Sequence, residues 1–332
     1  MLVATRLLSI PAAALLLATG SAVDRIAFHA EEGTSVVRTF EFEIDQELSA
    51  IEITVNGQDI PPEYLEGVEA SLSDTDRVVV TDEFGSLLDG RPATLRRTFE
   101  ELSGLTTESS TGPEGEIDES TAEKSSPLEG STVLFTWDDD EQEYSAEFED
   151  GGDEDLLDEL VEDMDLRGFL PEDSVDEGDS WEPGIEAFKA LLDAGGDLHL
   201  RADDEERSEV DEQLDENIDG DVRVTYAGVR SEDGVEVAVL EIEVSAESQG
   251  EGVEEDDDGI EAQMTMTIAF ELEGELTWDI AAGHLHGLEL TGSLDAEMTN
   301  VTEMDGEGEM MEFIQEMSFE GTVAFTVSVE AQ

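Results

Sequence analysis

The 332-residue chain predicts a β-dominated α+β fold: a long curved antiparallel sheet, with room for two similar β-rich halves, and two or three helices covering one face. Three observations lead there. Apolar residues alternate with polar, mostly acidic ones through most of the segments after Arg25, which is the period of a strand with one dry and one wet face. Between residues 153 and 218 the spacing lengthens to that of amphipathic helices. The apolar face built by the alternation is extensive enough that another layer must lie over it.

In chain order, Val36, Phe40, Phe42 and Ile44 alternate with Thr39, Glu41, Glu43 and Asp45. Ile51, Ile53 and Val55 then share one side of a strand that ends at the turn dipeptide Asn56-Gly57. Val78 to Val80 with Phe84, and Leu95 to Phe99, add two strands. Residues 102–130, rich in Ser, Thr, Gly and Glu and holding Pro113 and Pro127, predict a flexible acidic excursion. Val133, Phe135 and Trp137, the turn at Asp138 to Glu141, and Tyr144, Ala146 and Phe148 describe a hairpin. Leu156, Leu157, Leu160, Val161 and Met164 fall at helical spacing over 153–164. A second helix runs from about Pro183 through Phe188 and Leu192 to Gly195-Gly196, and Val210, Leu214 and Ile218 stripe a third at 203–218.

The last 110 or so residues hold the clearest alternation: 222–229 and 235–244 around Ser231 to Gly234, then Met264 to Leu272, Leu276 and Trp278, Leu288 to Met298, and Phe319 to Val329. Phe135-Thr136-Trp137-Asp138 echoes Leu276-Thr277-Trp278-Asp279, and Glu32-Gly33-Thr34 echoes Glu320-Gly321-Thr322. Duplication and chance similarity among strands of limited composition both account for this. The chain thus divides into an export signal at 1–22, an N-terminal β-rich part at 23–101, a flexible loop or linker at 102–130, and a hairpin, helices and C-terminal sheet at 131–330, continuous with the N-terminal part.

The signal reading rests on Arg6, the apolar run Leu7 to Leu17 broken by Pro11, and the small residues Gly20-Ser21-Ala22. The run is too short to span a bilayer. Export places the protein in the periplasm, at the cell surface or outside the cell. With 90 Asp+Glu against 14 Lys+Arg, the formal charge is −76. A surface of that sign repels phosphates, which excludes nucleic acids and anionic membrane surfaces as partners. Only two of the cations are Lys, at 124 and 189. Acid-rich, Lys-poor composition matches a salty habitat in which concentrated cations screen the repulsion, and predicts stability that rises with NaCl. There is no Cys, hence no disulfide framework, no thiolate metal ligand and no thiol nucleophile.

Catalytic motifs are missing: the chain has no G-x-S-x-G, H-E-x-x-H, G-x-x-x-x-G-K-[ST] or G-x-G-x-x-G. Paired carboxylates serve glycoside hydrolysis, but among 90 of them a pair in sequence carries no information. His284 and His286 stand at the i, i+2 spacing of some strand-borne metal sites, equally the spacing of two solvated imidazoles beside a turn. Calcium is the better metal hypothesis. Asp215, Asn217, Asp219 and Asp221, with Gly220 and Val222, match the first half of an EF-hand loop, although Tyr226 stands where the bidentate Glu belongs. An acidic helix ending in an Asp-Gly turn explains the same residues. Seven of nine methionines lie after residue 260. Thioether side chains adapt to irregular partners, so Met264, Met266 and Met298, with Phe270 and Phe325, are the candidate ligand-binding residues; core filling is the plainer role.

Two resemblances complete the reading. Glu32-Gly33-Thr34, the run Glu162 to Pro171 and Gly178-Asp179-Ser180-Trp181 resemble uncharacterised exported acidic proteins of marine, planctomycete-type bacteria, a likeness that brings no activity and no functional residue. The order of sheet and helices resembles lipoprotein-carrier-like half-barrels, whose curved sheet holds acyl chains; it implies fold alone. The expected function is non-catalytic binding of an apolar or lipid-like ligand between sheet and helices, with no cofactor required. The alternative is a calcium-stabilised cell-surface or extracellular structural protein.

Overall fold

The computed structural model describes residues 26–332 apart from 89, 114, 203–207, 256–260 and 307–308; the signal segment 1–22 lies outside the described residues. The fold is β-dominated α+β, as the alternation predicts. In chain order the strands are β1 (Ser35–Val55), β2 (Gln58–Asp59), β3 (Glu69–Phe84), β4 (Leu87–Leu88), β5 (Arg91–Pro92), β6 (Thr94–Thr111), β7 (Ile117–Ser125), β8 (Thr132–Asp138), β9 (Glu143–Phe148), β10 (Ser180–Trp181), β11 (Arg201–Ala202), β12 (Asp219–Glu232), β13 (Val235–Glu255), β14 (Glu261–Asp279), β15 (His284–Gly306) and β16 (Glu309–Ala331). The helices are α1 (Glu186–Leu192) and α2 (Glu209–Glu216).

One 14-stranded antiparallel sheet runs in the order β10-β12-β13-β14-β15-β16-β1-β3-β6-β7-β11, with β2 on β1 and the β8–β9 hairpin on β6. The two ends of the sequence meet in its middle, where β1 and β16 pair from Val36↔Ala331 to Val55↔Phe313. Both β-rich parts therefore share one sheet. At about 3.3 Å per residue a 21-residue strand such as β1 spans about 70 Å. Inward positions of the central strands carry Phe40, Val80, Phe99, Leu240, Leu276, Leu290 and Phe325, all buried. At two inward glycines the neighbouring backbone comes very close. A Cβ on Gly274 or Gly292 would lie 2.0 or 1.9 Å from a neighbouring backbone oxygen, so the strands leave no room for a side chain there.

Residues 102–130 are not a flexible loop. Their first part completes β6 and their second is β7, paired from Ser103↔Ser125 to Thr111↔Ile117. Thr is a good strand residue, and here the alternation is polar on both faces, so the hydrophobic pattern that marks the other strands is absent. The N-terminal half of β6 pairs β8 instead. The helix expected at 153–164 is also corrected. Only a 3-10 turn forms, at Glu154–Leu157. Asp is a poor helix former, and tertiary partners take the backbone groups: Val161 N–H donates to Gly195 O at 2.8 Å, and Arg97 donates to the carbonyls of Val161 and Glu162 at 2.9 and 2.8 Å. The second expected helix is present but shorter, as α1. The third is α2, covering the C-terminal part of 203–218, with 203–207 outside the described residues.

Residues 149–202 form a strap across the apolar face between β9 and the start of α2. Met164, Leu166, Phe169, Ala187, Phe188 and Leu191 point from it into the core. Phe188 stacks edge-on against Phe270 and Phe325, with ring centroids 5.6 and 6.3 Å away, a geometry that aromatic quadrupoles favour. The strap and α1 thus take the place of the helical layer expected from sequence. α2 lies farther along, its Val210 and Leu214 against Gly250 and Gly252 of β13.

A candidate ligand cleft and the charged clasp beside it

The strap is held down by charges inside the core. Arg38, Asp82 and Arg97 occupy inward positions of β1, β3 and β6 and are 0%, 1% and 0% exposed. Asp82 accepts from Arg38 Nη1 at 2.5 Å and from Arg97 Nε and Nη2 at 2.8 and 2.9 Å. The other arm of Arg38 reaches Asp165 of the strap at 2.6 Å, and Asp165 also accepts from Leu285 N–H of β15 at 3.2 Å. Farther out, Arg167 binds Glu162 and, at 3.0 Å, Asp163. The Arg38 and Arg97 guanidiniums each lie over a ring, Phe84 and Phe135 respectively.

Burial sets the proton affinities here. Desolvation pushes the Glu162 carboxyl up to about 7, with Arg167 opposing and Asp163 adding to the rise. Burial alone would lower the Arg167 and Arg38 guanidiniums, but the surrounding carboxylates outweigh it and both rise. Burial, then the field of Glu162, raises the Tyr144 hydroxyl, which donates to Pro92 O at 2.6 Å.

Next to this clasp the strap stands off the sheet. An open cleft of about 730 Å³ runs between α1 and the loop after it, on one side, and β1, β3 and β16 on the other. Phe40, Phe42, Val78, Phe325 and Val327 form its floor; Leu191, Leu192, Leu198 and Leu200 form its roof. Three of the chain's few cations edge it, each already engaged: Lys124 with Asp74 and Asp76 at 2.8 and 3.0 Å, Arg201 with Asp197 at 2.6 Å, Lys189 with Glu186 at 3.4 Å. The cleft can hold an apolar chain by exclusion of water, but offers an anionic headgroup no uncompensated cation.

The expected ligand residues separate into two places. Phe325 lies in the cleft floor and Phe270 is joined to it through Phe188. Met264, Met266 and Met298 lie together on the half-buried far end of the sheet, across β14 and β15. Three of the four expected calcium residues, Asn217, Asp219 and Asp221, line one open pocket. Asp219 and Asp221 are on β12, where Asp219 accepts from its neighbour Gly220 N–H at 2.9 Å, and Asn217 donates its amide to Gln249 O at 2.9 Å; Asp215 is in α2. Among the described residues no group of three or more His, Cys, Asp or Glu is placed to hold a metal. His284 is buried, its Nδ1 2.7 Å from Leu285 O, while His286 lies 3.5 Å from Glu232.

Sequence reasoning missed the clasp and the part of the cleft roof beyond α1, Leu198 and Leu200. The clasp left a signal: Arg38 sits between Val36 and Phe40, Asp82 between Val80 and Phe84, and Arg97 between Leu95 and Phe99, each a charge at an inward position. Leu198 and Leu200 left none, since their place depends on how an irregular strap lies.

No family model matches the chain, and no curated protein matches it. Two solved structures share a faint likeness: the InvG secretin domain β-barrel from the Salmonella SPI-1 injectisome, at 9% identity and a TM-score of 0.17, and Pseudomonas aeruginosa OccK7 (OpdD), at 8% and 0.19. Each match covers 90% of this chain, with 63% of the secretin domain and all of OccK7. The chain thus spans less than two thirds of the secretin structure's length. Scores this low carry no argument about fold or function. Among the described residues no helix is long and apolar enough to cross a membrane.

Proposed function

We propose that this is an exported, non-catalytic binding protein that holds an uncharged apolar or lipid-like ligand between its sheet and its strap. The observation that carries the reading is the cleft of about 730 Å³ floored by Phe40, Phe42, Val78 and Phe325. That volume falls in the range of about 300–1,000 Å³ typical of small-molecule sites; apolar side chains make the floor and roof, and Lys124, Lys189, Arg201 and eight Asp and Glu residues line the rest. The paired state of Lys124, Lys189 and Arg201 favours a ligand without an anionic head. The composition of residues 1–22 supports export, and the acidic surface supports life in salt.

The test is extraction of the purified full-length protein followed by mass spectrometry, with titration of a fluorescent long-chain alcohol in parallel. A co-purifying apolar molecule, and probe binding abolished by Ala190→Trp, is the expected result; Ala190 is exposed on α1 and lines the cleft, so the indole fills the space without entering the core. An empty extract and probe binding unchanged by Ala190→Trp would overturn the reading.

A further inference from the structure

We propose that Met266, Met298 and Met317 form a soft-cation site, which takes Cu(I) or its chemical analogue Ag(I), on the concave face beyond the strap. The strand register brings them together. Met266 of β14 pairs with Met298 of β15, and Met298 pairs with Met317 of β16, so three methionines stand side by side on adjacent strands. Directly opposed residues on antiparallel strands have Cβ atoms about 4.5–5.5 Å apart, and no register shift falls between these strands here. All three belong to the inward-facing set: each lies an even number of residues from a buried inward neighbour, Phe270, Leu294 or Val323 respectively. A methionine has three rotatable bonds, enough for the three sulfurs to converge on one ion.

The surroundings suit that chemistry. The row is closed at one end by Gly250 of β13, over which α2 places Val210 and Leu214, and at the other by Ile51 of β1. On one side lie Ile268, Ala296 and Phe319; on the other, Met264, Asn300 and Gln315. Gln315 Nε2 donates to Met317 Sδ at 3.1 Å, which fixes the thioether and leaves its second lone pair available. Asn300 Oδ1 is buried without a hydrogen-bond partner. Burying such an atom without a partner costs about 1–3 kcal/mol, and this one lies next to Met298 on the same face of β15.

Ligand softness decides which ion enters. Thioethers select Cu(I), whereas carboxylates suit Ca(II), Mg(II) and Mn(II). The many surface carboxylates gather hard cations diffusely, and the long-range field of a chain at −76 enriches a monovalent cation as well, but only the methionine row offers sulfur. The site stands apart from the cleft and is independent of the apolar-ligand reading.

The experiment is anaerobic titration of the full-length protein with Cu(I) against a chromophoric Cu(I) chelator, with Ag(I) in parallel. One equivalent retained against the chelator is expected, with sulfur-only scattering in copper X-ray absorption. Met298→Leu and Met266→Leu, which keep shape and remove sulfur, should each weaken retention by on the order of tenfold or more at unchanged circular dichroism. Met164→Leu in the strap core should leave it unchanged. No retention against the chelator, retention in both row variants equal to that of the unsubstituted protein, or scattering dominated by oxygen would overturn the site.

Discussion

Under the strap, Val36, Val80 and Phe99 on the inward face of the sheet are completely excluded from water, as are Arg38 and Arg97 among them. Toward the other end of the same sheet, Leu48, Ile51, Met266, Met298 and Met317 occupy equivalent inward positions and stay half-exposed. Both regions have the strand alternation. They differ in what lies across it: an irregular strap fastened by buried ion pairs over one, and a single two-turn helix at the edge of the other. Cover, rather than strand pattern, decides which apolar rows become core and which remain available to a ligand.

The comparison breaks most sharply at Asp82. Asp82→Ala leaves two guanidiniums buried without their shared carboxylate and should cost about 3–5 kcal/mol, read as a drop in the urea midpoint. Arg77→Ala is the contrast. Arg77 pairs with Glu41 and Glu101 on the outer face at about two-fifths exposure, and its loss should cost under about 1 kcal/mol. Equal effects of the two substitutions would mean that the buried network does not fasten the strap.

Glu162 sharpens the same point through pH. Its carboxyl is raised in the folded protein, to about 7, from an ordinary value near 4.5. Between those values the folded state holds a proton that the unfolded state has released. The contribution to stability is therefore full at acid pH, is lost as pH rises through about 7, and is flat above. At about 1.4 kcal/mol per pKa unit the loss is on the order of 3 kcal/mol. Glu162→Gln, which keeps the shape and cannot ionise, should remove that slope between pH 5 and 7 in melting temperatures measured across pH. An unchanged slope would show that Glu162 titrates as an ordinary surface acid.

Much of this was legible in the residues. Alternation around Phe40, Phe270, Leu290 and Phe325 was enough to set the fold class, because a one-residue slip would turn every one of those side chains to water. Residues 103–125 escaped because a strand that is polar on both faces has no such signature. The helix expected at 153–164 failed for the opposite reason: Leu156, Leu160 and Met164 do have helical spacing, but Arg97 and Gly195, remote in sequence, bind the backbone first. The charges at Arg38, Asp82 and Arg97 could have been noticed as inward-facing breaks in apolar rows. The methionine enrichment was visible, but its row was not, since the alignment of Met266 with Met298 and Met317 depends on register between hairpins.

The cover at the open end can be weakened separately. Ser208 caps α2: its Oγ accepts from Asp211 N–H at 3.1 Å while Asp211 accepts from Ser208 N–H at 3.2 Å. Ser208→Ala should cost about 1 kcal/mol, loosening Val210 and Leu214 from Gly250 and Gly252. Hydrogen exchange should then quicken along Ser248–Gly252 and leave β1 and β3 under the strap unaffected. Exchange that quickens in both regions would show that the two ends of the sheet open together.

The smallest expected effect falls at Met298. Leucine has nearly the volume of methionine, and such swaps cost under about 1.5 kcal/mol even in a packed core. Met298 is only half-buried, so Met298→Leu should move the melting temperature less than any substitution above. The contrast with Phe188→Ala is useful, because Phe188 is wholly buried between Phe270 and Phe325 and its truncation should cost about 3–5 kcal/mol. If Met298→Leu instead destabilised the apo protein as much as Phe188→Ala, the row at Met266, Met298 and Met317 would be load-carrying core, and its sulfurs would owe their position to packing. A near-silent effect on the apo protein leaves the thioethers free to be there for what sulfur can bind.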